Sequence, residues 1–482
     1  MGNQTLNHKI TVKDILNITG GKLIIGDEEE FCEDFCRDSR EVKENDIYLG
    51  IKGETLNGSI YFEEAFKKGA KGAILQEIEI TEEQLQKCKD KFIIIVEDTI
   101  KAMQAIAKFK RNLYNIPVVA ITGSVGKTST KDMVASVVSE KYTTLKTEGN
   151  YNNHIGVPLT IFRLKNEEAM VVEMGMNHLG EISTLTKIAK PTVAVITNVG
   201  TAHIGILGSR ENILKAKLEI LEGLDSNGYI VINNDNDLLH NWYLENKENY
   251  NIITYGIENE SDYMAENIIS KEDGSVYTLK GTNQKIEVPV GGNHFVQNSL
   301  CAIAVGSIFE MPLEKMVKGI YEFELTKKRM DISIIQENIT VINDCYNANY
   351  DSMKAALEYL GKIQEKRKIA ILGDMLELGD YSKELHEKVG EEVVKNEIDI
   401  LITVGKEAKY IAKVAKEKIK QIVICDTNEE AIENINKIKQ ENDCILLKAS
   451  NGMHFGEILE GIKNNFPQKI QKMWKKKRGN ND

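Results

Sequence analysis

The chain has 482 residues, of which 42% are hydrophobic and 28% are charged, and its formal net charge is −12. This length allows about three domains of ordinary size. The composition is that of a globular protein, and the acidic balance argues against a general nucleic-acid binder. Seven scattered cysteines without a Cys-x-x-Cys pair favour a reduced, cytoplasmic setting. No apolar stretch approaches the ~20 residues needed to span a bilayer.

Residues 1–98 are predicted to form a first α/β domain of short strands with one helix. Apolar runs at 47–51, 73–75 and 92–96 indicate strands, and the pattern over 62–72 indicates an amphipathic helix. Nothing in these patterns alone identifies a ligand.

A glycine-rich turn near residue 123 opens the second predicted domain, residues 99–326. An apolar run at 116–121 leads into Gly123-x-x-Gly126-Lys127-Thr128, and a helical pattern follows over 131–138. In a strand–turn–helix of this kind, backbone N–H groups surround phosphate oxygens, the lysine reaches the terminal phosphates and the hydroxyl binds Mg²⁺. The segment therefore predicts nucleotide binding. A plain glycine turn with a solvated lysine is the alternative.

Two further strand ends in this domain carry polar residues. Runs at 169–174 and 192–197 are typical of buried parallel strands, and the alternation over 252–290 predicts an antiparallel extension. Glu173 ends the first run, where a carboxylate suits Mg²⁺. His203 follows the second and is a candidate for a metal or a phosphate. A solvated acid and a structural histidine are the plainer interpretations.

The remainder of the chain, residues 327–482, alternates strands and helices again. Apolar runs lie at 340–343, 368–372, 398–404, 421–425 and 444–448. This alternation predicts a second, mostly parallel sheet covered by helices. The basic segment 469–478 is interpreted as a solvated end, with weak contact to an anionic membrane surface as the alternative.

Taken together, these motifs resemble the ATP-dependent Mur ligases of peptidoglycan synthesis. The segments that carry the resemblance are TGSVGKT at 122–128, GNYNN at 149–153, EMGMN at 173–177, TNV at 197–199, Ala202-His203 and Ala216-Lys217. Two later segments, DCYNAN at 344–349 with Ser352-Met353, and ILGDMLELG at 371–379, resemble the family branch that adds D-alanyl-D-alanine to UDP-N-acetylmuramoyl-tripeptide. Asp38-Ser39-Arg40 and the turn at 53–58 resemble the UDP-binding domain of that branch.

The resemblance implies an α/β protein of three domains. These are a small UDP-muramoyl-peptide-binding domain at 1–98, a central P-loop ATPase domain with a mostly parallel sheet at 99–326, and a Rossmann-like ligase domain at 327–482. The implied reaction is ADP-forming amide ligation through an acyl phosphate, the last cytoplasmic step of pentapeptide precursor synthesis. The implied substrates are UDP-N-acetylmuramoyl-tripeptide and D-alanyl-D-alanine, and we expect a monomer.

The resemblance also implies roles for individual residues. ATP would contact Gly123, Ser124, Val125, Gly126, Lys127, Thr128, Ser129, Asn298, Arg329 and Asp344. Two Mg²⁺ sites would involve Thr128, Glu173, His203 and Lys217, the last as a carbamate formed with CO₂. The catalytic set would be Lys127, Glu173, His203 and Lys217. Substrate contacts would come from Ser39, Asn150, Asn153, Asn347 and Asn349.

The chain departs from the family pattern at several positions. These are Asn57 for Asp, Ser59 for His, Leu218 for Gly, Phe295 for Asn, Tyr350 for Pro, Ala449 for Gly and Asn451 for Arg. Two alternatives therefore stay open at this point: a paralogous Mur-type ligase that joins a different amino acid or dipeptide, and a nucleotide-binding regulator without catalysis.

Overall fold

The computed structural model describes residues 9–271, 274–325, 329–335 and 338–464. These residues fall into two compact units. The first contains the described residues up to Thr122 with Lys141–Val195 and Ala216–Ile230, and the second contains Gly123–Glu140, Ile196–Lys215 and the described residues from Val231 onward. The predicted boundary at 326/327 and the basic segment 469–478 lie outside the described residues.

The N-terminal segment alternates short strands and helices around a small apolar core. Its elements are β1 (Ile10–Thr11), α1 (Val12–Thr19), β2 (Lys22–Ile25), β3 (Phe31–Cys32), β4 (Phe35–Cys36), β5 (Ile47–Leu49), α2 (Phe62–Lys67), β6 (Gly72–Leu75), α3 (Glu82–Lys87), β7 (Phe92–Ile95) and α4 (Thr99–Asn112). Strands β2, β7, β6, β5 and β4 pair in that order. The buried side chains of Tyr48, Phe62 and Ile93 belong to the core beneath this sheet.

The prediction of one helix before residue 98 was wrong, because α1 and α3 also form there. Both are short, and each begins with a capping box. Thr11 and Asp14 satisfy each other's backbone N–H groups at the start of α1, and Thr81 and Gln84 do the same for α3. The two helices have only eight and six residues, and their capping boxes are the local signal that marks where they begin.

The central segment contains the phosphate-loop strand and helix. Its elements are β8 (Val118–Thr122), α5 (Lys127–Ser139), β9 (Thr144–Lys146), α6 (Gly156–Phe162), β10 (Ala169–Glu173), α7 (Glu181–Ala189), β11 (Val193–Ile196), α8 (Ile204–Leu207), α9 (Arg210–Leu218), β12 (Tyr229–Asn233), α10 (Asp237–Asn246), β13 (Asn251–Gly256), β14 (Tyr263–Lys271), β15 (Gly274–Leu279), β16 (Lys285–Val288), α11 (Asn293–Ile308) and α12 (Leu313–Tyr321).

The central strands follow the predicted pattern with one correction. In the first unit the order is β11, β8, β10, β9, and β10 pairs in parallel with both of its neighbours. In the second unit β14, β15 and β16 form the predicted antiparallel extension. The extension begins later than residue 252, because β13 pairs with β14 in parallel.

The C-terminal segment forms a second sheet within the second unit. Its elements are β17 (Asp331–Ile334), β18 (Thr340–Asn343), α13 (Tyr350–Lys362), β19 (Arg367–Gly373), α14 (Ser382–Lys395), β20 (Ile400–Val404), α15 (Lys409–Ala415), β21 (Gln421–Cys425), α16 (Asn428–Ile438), β22 (Asp443–Lys448) and α17 (Gly456–Asn464). The order is β17, β18, β22, β19, β20, β21, and only β17 runs antiparallel to its neighbour. The predicted mostly parallel sheet is confirmed.

A membrane-spanning helix is not found among the described residues, in which the longest helix, α11, has 16 residues.

Candidate active site

The turn between β8 and α5 requires glycine at two positions. A Cβ atom at Gly123 would lie 1.9 Å from Oγ1 of Thr197, so a side chain cannot fit there. Gly126 has φ +82°, a left-handed conformation, and is the residue from which α5 starts. No side chain caps the first turn of α5. Its N–H groups are therefore suited to an anion.

Asn198 holds this turn in shape. Its Oδ1 accepts hydrogen bonds from the backbone N–H groups of Ser124 (3.1 Å) and Val125 (2.9 Å), and its Nδ2 donates to the Val125 carbonyl. The Thr197 hydroxyl donates to the same carbonyl at 2.7 Å. The loop geometry thus depends on side chains about 70 residues away, and our assignment of site residues did not include Asn198.

The polar residues of the turn take up positions suited to phosphate. Nζ of Lys127 donates to the Gly123 carbonyl at 2.7 Å, which folds the lysine over its own loop. Thr128 and Ser129 are buried in the first turn of α5. One residue further, the Thr130 hydroxyl donates to Oδ1 of Asn298 at 2.9 Å. The structure therefore brings the predicted Asn298 to the phosphate-loop helix.

Glu173 ends β10 in the first unit and is 2% exposed. Its Oε1 accepts a 2.8 Å hydrogen bond from Nδ2 of Asn152, and its backbone N–H donates to the Thr147 hydroxyl. Its Oε2 has no hydrogen-bond partner among the described residues. A buried carboxylate oxygen without a partner is costly unless a cation or another donor meets it. The oxygen chemistry fits Mg²⁺.

A metal site made only of protein acids, histidines and cysteines is not present among the described residues. Mg²⁺ sites in nucleotide-binding proteins usually combine one or two carboxylates with phosphate oxygens and water. The side chain of Glu173 fits that arrangement. Asn152 orients it and was absent from our predicted site residues.

Lys217 lies near the end of α9 and is 1% exposed. The spacing of charged residues around it is typical of a solvated helix face, but the structure buries this lysine while Lys215 stays exposed. Lysines are almost never fully buried unless they are paired or chemically altered. The burial agrees with a lysine that has a specific partner or modification.

His203 lies just before α8 with φ 63°, a left-handed conformation that is uncommon outside glycine. Its Nδ1 is 2.9 Å from Oε2 of Glu377, which belongs to the C-terminal segment. In the same loop, the backbone N–H and hydroxyl of Thr201 both donate to Oδ2 of Asp351, at 2.7 and 2.9 Å. The structure thus joins His203 to residues that we had not identified as site residues.

The predicted nucleotide contacts of the C-terminal segment form a cluster. Asp344 pairs with the buried Nζ of Lys448, and its Oδ1 accepts a hydrogen bond from the Met330 N–H. The Arg329 guanidinium stacks 4.0 Å above the Tyr346 ring, and its buried Nε has no hydrogen-bond partner among the described residues. Lys448 therefore supports Asp344, and Arg329 keeps a donor for a ligand.

Asn347 and Asn349 follow this cluster, and both already serve the local fold. Oδ1 of Asn347 accepts a hydrogen bond from the Ala348 N–H. Oδ1 of Asn349 caps α13 by accepting from the Ser352 N–H, and the Ser352 hydroxyl completes a capping box. The cap fixes the start of α13, from which Asp351 projects.

The predicted substrate residues of the first unit lie in two loops. Ser39 is buried beside a salt bridge in which Arg40 holds both carboxylate oxygens of Asp38, and these hydrogen bonds lower the pKa of Asp38 to about 2. Asn150 is exposed, whereas Oδ1 of Asn153 accepts hydrogen bonds from the two backbone N–H groups at the start of α6. Asn153 thus has a helix-capping role.

Comparison with known proteins decides the family. Residues 121–306 match the Mur ligase middle domain, and residues 328–451 match the domain described as "Mur ligase, glutamate ligase domain". Over 459 residues the chain is 35% identical to UDP-N-acetylmuramoyl-tripeptide--D-alanyl-D-alanine ligase of Bacillus subtilis (strain 168), with 94% of this chain and 98% of that protein covered. The chain belongs to the Mur ligase family.

Solved structures agree with this membership. The Mur ligase fold described above superposes on MurF from Acinetobacter baumannii with a TM-score of 0.85 at 28% identity, covering 95% of this chain and 99% of that one. The structure of a MurF ligase from Thermotoga maritima in complex with ADP gives a TM-score of 0.79 at 26% identity, covering 90% of this chain and 97% of that one. The predicted family and α/β fold class are confirmed.

The departures of this Mur ligase from the family pattern have local explanations at several positions. Asn57 caps the short 3₁₀ helix that follows it, and the Ser59 hydroxyl donates to the Gly50 carbonyl and accepts from the Gln76 N–H. Phe295 and Ala449 are packed in apolar cores. The Tyr350 hydroxyl donates to Glu392 on α14 at 3.3 Å. Asn451 is exposed, and nothing in the structure explains it.

Proposed function

We propose that this Mur ligase joins D-alanyl-D-alanine to UDP-N-acetylmuramoyl-tripeptide at the expense of ATP. The observation that carries the proposal is the 35% identity with the Bacillus subtilis ligase of that name, which extends over 98% of its length. The phosphate loop and the buried carboxylate of Glu173 agree with it. We further propose that the enzyme works in the cytoplasm as a monomer.

The phosphate loop would bind ATP through its backbone. The N–H groups at the start of α5 have no side-chain cap and suit an anion, and Lys127 would exchange the Gly123 carbonyl for the terminal phosphates. Asn298 accepts a hydrogen bond from the Thr130 hydroxyl on α5, and we propose that it contacts adenine. Arg329, with its unpartnered Nε, and Asp344 are proposed to complete the nucleotide site.

Four side chains are proposed as ligands of two Mg²⁺ ions: Thr128, Glu173, His203 and Lys217 as a carbamate. Bound Mg²⁺ would neutralise charge on the transferring phosphoryl group. The open Oε2 of Glu173 supports the first site. The burial of Lys217 supports the carbamate, because carbamylation converts a buried ammonium into an anion that a cation can pair with.

The reaction requires activation of a carboxylate, since a carboxylate ion is a poor electrophile. The γ-phosphoryl group passes from ATP to the terminal carboxylate of the tripeptide, and ADP leaves. The amine of D-alanyl-D-alanine then attacks the acyl phosphate, loses a proton, and phosphate departs as the amide forms. Orientation of the reactants can supply about 7–11 kcal/mol of the barrier. Ser39, Asn150 and Asn153 are proposed to hold the UDP-muramoyl-peptide, and Asn347 and Asn349 to line the amine pocket.

Phosphate release across a small matrix of substrates tests the proposal. The matrix combines UDP-muramoyl-tripeptides that carry lysine or diaminopimelate with several D-dipeptides and single amino acids. We expect release only when ATP, a tripeptide and D-alanyl-D-alanine are all present, with the amide product confirmed by mass. Equal release with other amines, or none with any pair, would refute the assignment.

A ligase with a different amine substrate is the second candidate. The exposed Asn451, where the family pattern has Arg, is the observation that favours it, because an arginine suits the carboxylate of an incoming dipeptide. The same matrix separates the two candidates, since the second requires turnover with an amine other than D-alanyl-D-alanine.

A further inference from the structure

The loop that carries His203 is held by two acids from the C-terminal segment. Asp351, in the first turn of α13, accepts two hydrogen bonds from Thr201. Oε2 of Glu377, in the loop after β19, lies 2.9 Å from Nδ1 of His203, an electrostatic contact without hydrogen-bond geometry. The two contacts lie two residues apart in the loop, so the first holds its backbone and the second places a carboxylate beside the histidine ring.

The backbone around this contact is tightly packed. A Cβ atom at Gly205 would lie 2.5 Å from the Gly379 nitrogen and from the Leu378 carbonyl carbon. The Tyr381 hydroxyl donates to the Gly208 carbonyl at 2.6 Å. Residues 200–208 therefore pack directly against residues 377–381, and the backbones approach so closely at Gly205 that no side chain fits between them.

The two residues of the ion pair share an unusual backbone conformation. His203 has φ 63° and Glu377 has φ 64°. Left-handed conformations at residues other than glycine persist where the surrounding structure imposes them, and they concentrate at functional sites.

We infer that Glu377 is a positioning residue for His203. The carboxylate beside Nδ1 favours the tautomer that carries its proton on that nitrogen, which leaves Nε2 as the nitrogen available to a cation. A carboxylate behind a metal-binding histidine has this effect, and its loss typically weakens metal binding 10–100-fold. The inference rests on the proposed function, in which His203 is a Mg²⁺ ligand.

Mn²⁺ binding provides the test, because Mn²⁺ replaces Mg²⁺ and its free concentration is read directly by electron paramagnetic resonance. The full-length protein is titrated with Mn²⁺ in the presence of ADP. The variants are E377A, E377Q, H203A and the double variant E377A/H203A. The control is E384A. The Glu384 side chain is 61% exposed, close to the 52% of Glu377, and it pairs with Lys388 on α14.

We expect E377A to weaken one class of Mn²⁺ site about tenfold or more. E377Q, which retains a hydrogen-bond acceptor for Nδ1–H, should recover most of the affinity, and E384A should match the wild type. The double variant should bind no more weakly than H203A, because Glu377 acts through His203. Wild-type Mn²⁺ affinity in E377A, or additive losses in the double variant, would overturn the inference.

The failure of the proposed function looks different in the same experiment. If wild-type protein binds no Mn²⁺ with ADP and releases no phosphate in the substrate matrix, both the function and the inference fail. If wild-type protein binds Mn²⁺ and H203A binds it more weakly while E377A is unchanged, only the positioning role of Glu377 fails. Glu377 is half exposed, so its replacement is not expected to impair folding, and far-ultraviolet circular dichroism checks this.

Discussion

Nδ2 of Asn152 donates a hydrogen bond to Oε1 of Glu173 at 2.8 Å, while Oε2 of the same carboxylate has no partner among the described residues. The amide therefore holds one oxygen and leaves the other without a donor, as the proposed role of Glu173 as a Mg²⁺ ligand requires. Asn152, which holds the carboxylate, comes from a loop 21 residues earlier.

Replacement of Asn152 tests this relationship. N152A should raise the Mg²⁺ concentration needed for half-maximal activity about 10–100-fold, because a metal-binding carboxylate that is no longer oriented binds the cation more weakly. The Mg²⁺ concentration for half-maximal phosphate release is the measurement. N246A is the control, since Nδ2 of Asn246 donates to a carbonyl of its own helix. An unchanged Mg²⁺ requirement in N152A would count against the metal role of Glu173.

Lys127 is the residue expected to contact the terminal phosphates. K127A should lower ATP-dependent turnover by at least about 100-fold, as expected for the loss of a group that stabilises developing charge. The fold should stay intact, as a thermal unfolding scan will check, because the hydrogen bond from Nζ to the Gly123 carbonyl lies within the phosphate loop itself. K101A serves as the control, since that side chain is 83% exposed. Wild-type turnover in K127A would remove the basis for the phosphate-loop assignment.

Lys217 is predicted to carry a carbamate. Protein equilibrated with ¹³C-labelled bicarbonate should show a carbamate carbon signal by nuclear magnetic resonance, and K217A should lack both this signal and ligation activity. High bicarbonate should restore activity only weakly. The matched control is K215A, two residues earlier on the exposed side of α9. Full activity of K217A would exclude a carbamate as an essential ligand.

Gly205 is predicted to be intolerant of a side chain. G205A places a methyl group 2.5 Å from the Gly379 nitrogen, and overpacking of this kind costs about 1–3 kcal/mol. We expect lower activity together with a reduced free energy of unfolding in denaturant titrations. G456A is the control, because a Cβ atom there meets nothing within 4 Å. Equal activity and equal unfolding free energy in G205A and G456A would show that residues 200–208 do not stay packed on residues 377–381 in solution.

His294 should make stability depend on pH. Burial lowers its pKa from 6.5 to about 4, so it is neutral in the folded protein where the unfolded chain is protonated. Between pH 4 and 6.5 the unfolded state binds more protons, and the free energy of unfolding therefore falls as the pH falls. The slope from this one group is at most about 1.4 kcal/mol per pH unit.

The contribution of His294 is measured by difference. Denaturant titrations of wild type and H294Q at several pH values between 4 and 7 separate it from the contribution of the carboxylates, which both proteins share. The slope should be smaller in H294Q within that window and equal above pH 7. Parallel curves throughout would mean that His294 titrates normally.

The sequence was most informative where local rules apply. Gly123 and Gly126 were recognisable because a phosphate loop needs glycine where the backbone turns and approaches its neighbour closely. Glu173 was recognisable because an acid at the end of a buried parallel strand has a specific position. Strands β18 to β22 of the C-terminal sheet followed from their apolar runs, whereas the antiparallel edge strand β17 was not predicted. In each case the information lies within a few residues of the feature.

Supporting residues were not recognisable in this way. Asn198 bonds to a loop more than 70 residues away, Asn152 bonds across 21 residues, and Glu377 reaches His203 from another sheet. All three lie in segments that resemble family motifs, but the sequence does not show which group each side chain meets. Only the fold shows which polar side chains meet, so the supporting shell could not be derived from spacing.

The left-handed pair His203 and Glu377 has a consequence for turnover. Each such residue costs on the order of 1–3 kcal/mol, so the seated loop is held less firmly than its many contacts suggest. A ligase must discharge ADP, phosphate and a large product in every cycle. If this strain is relieved when the two segments part, it favours their separation, and the left-handed pair would then also limit how long the complex with the products persists.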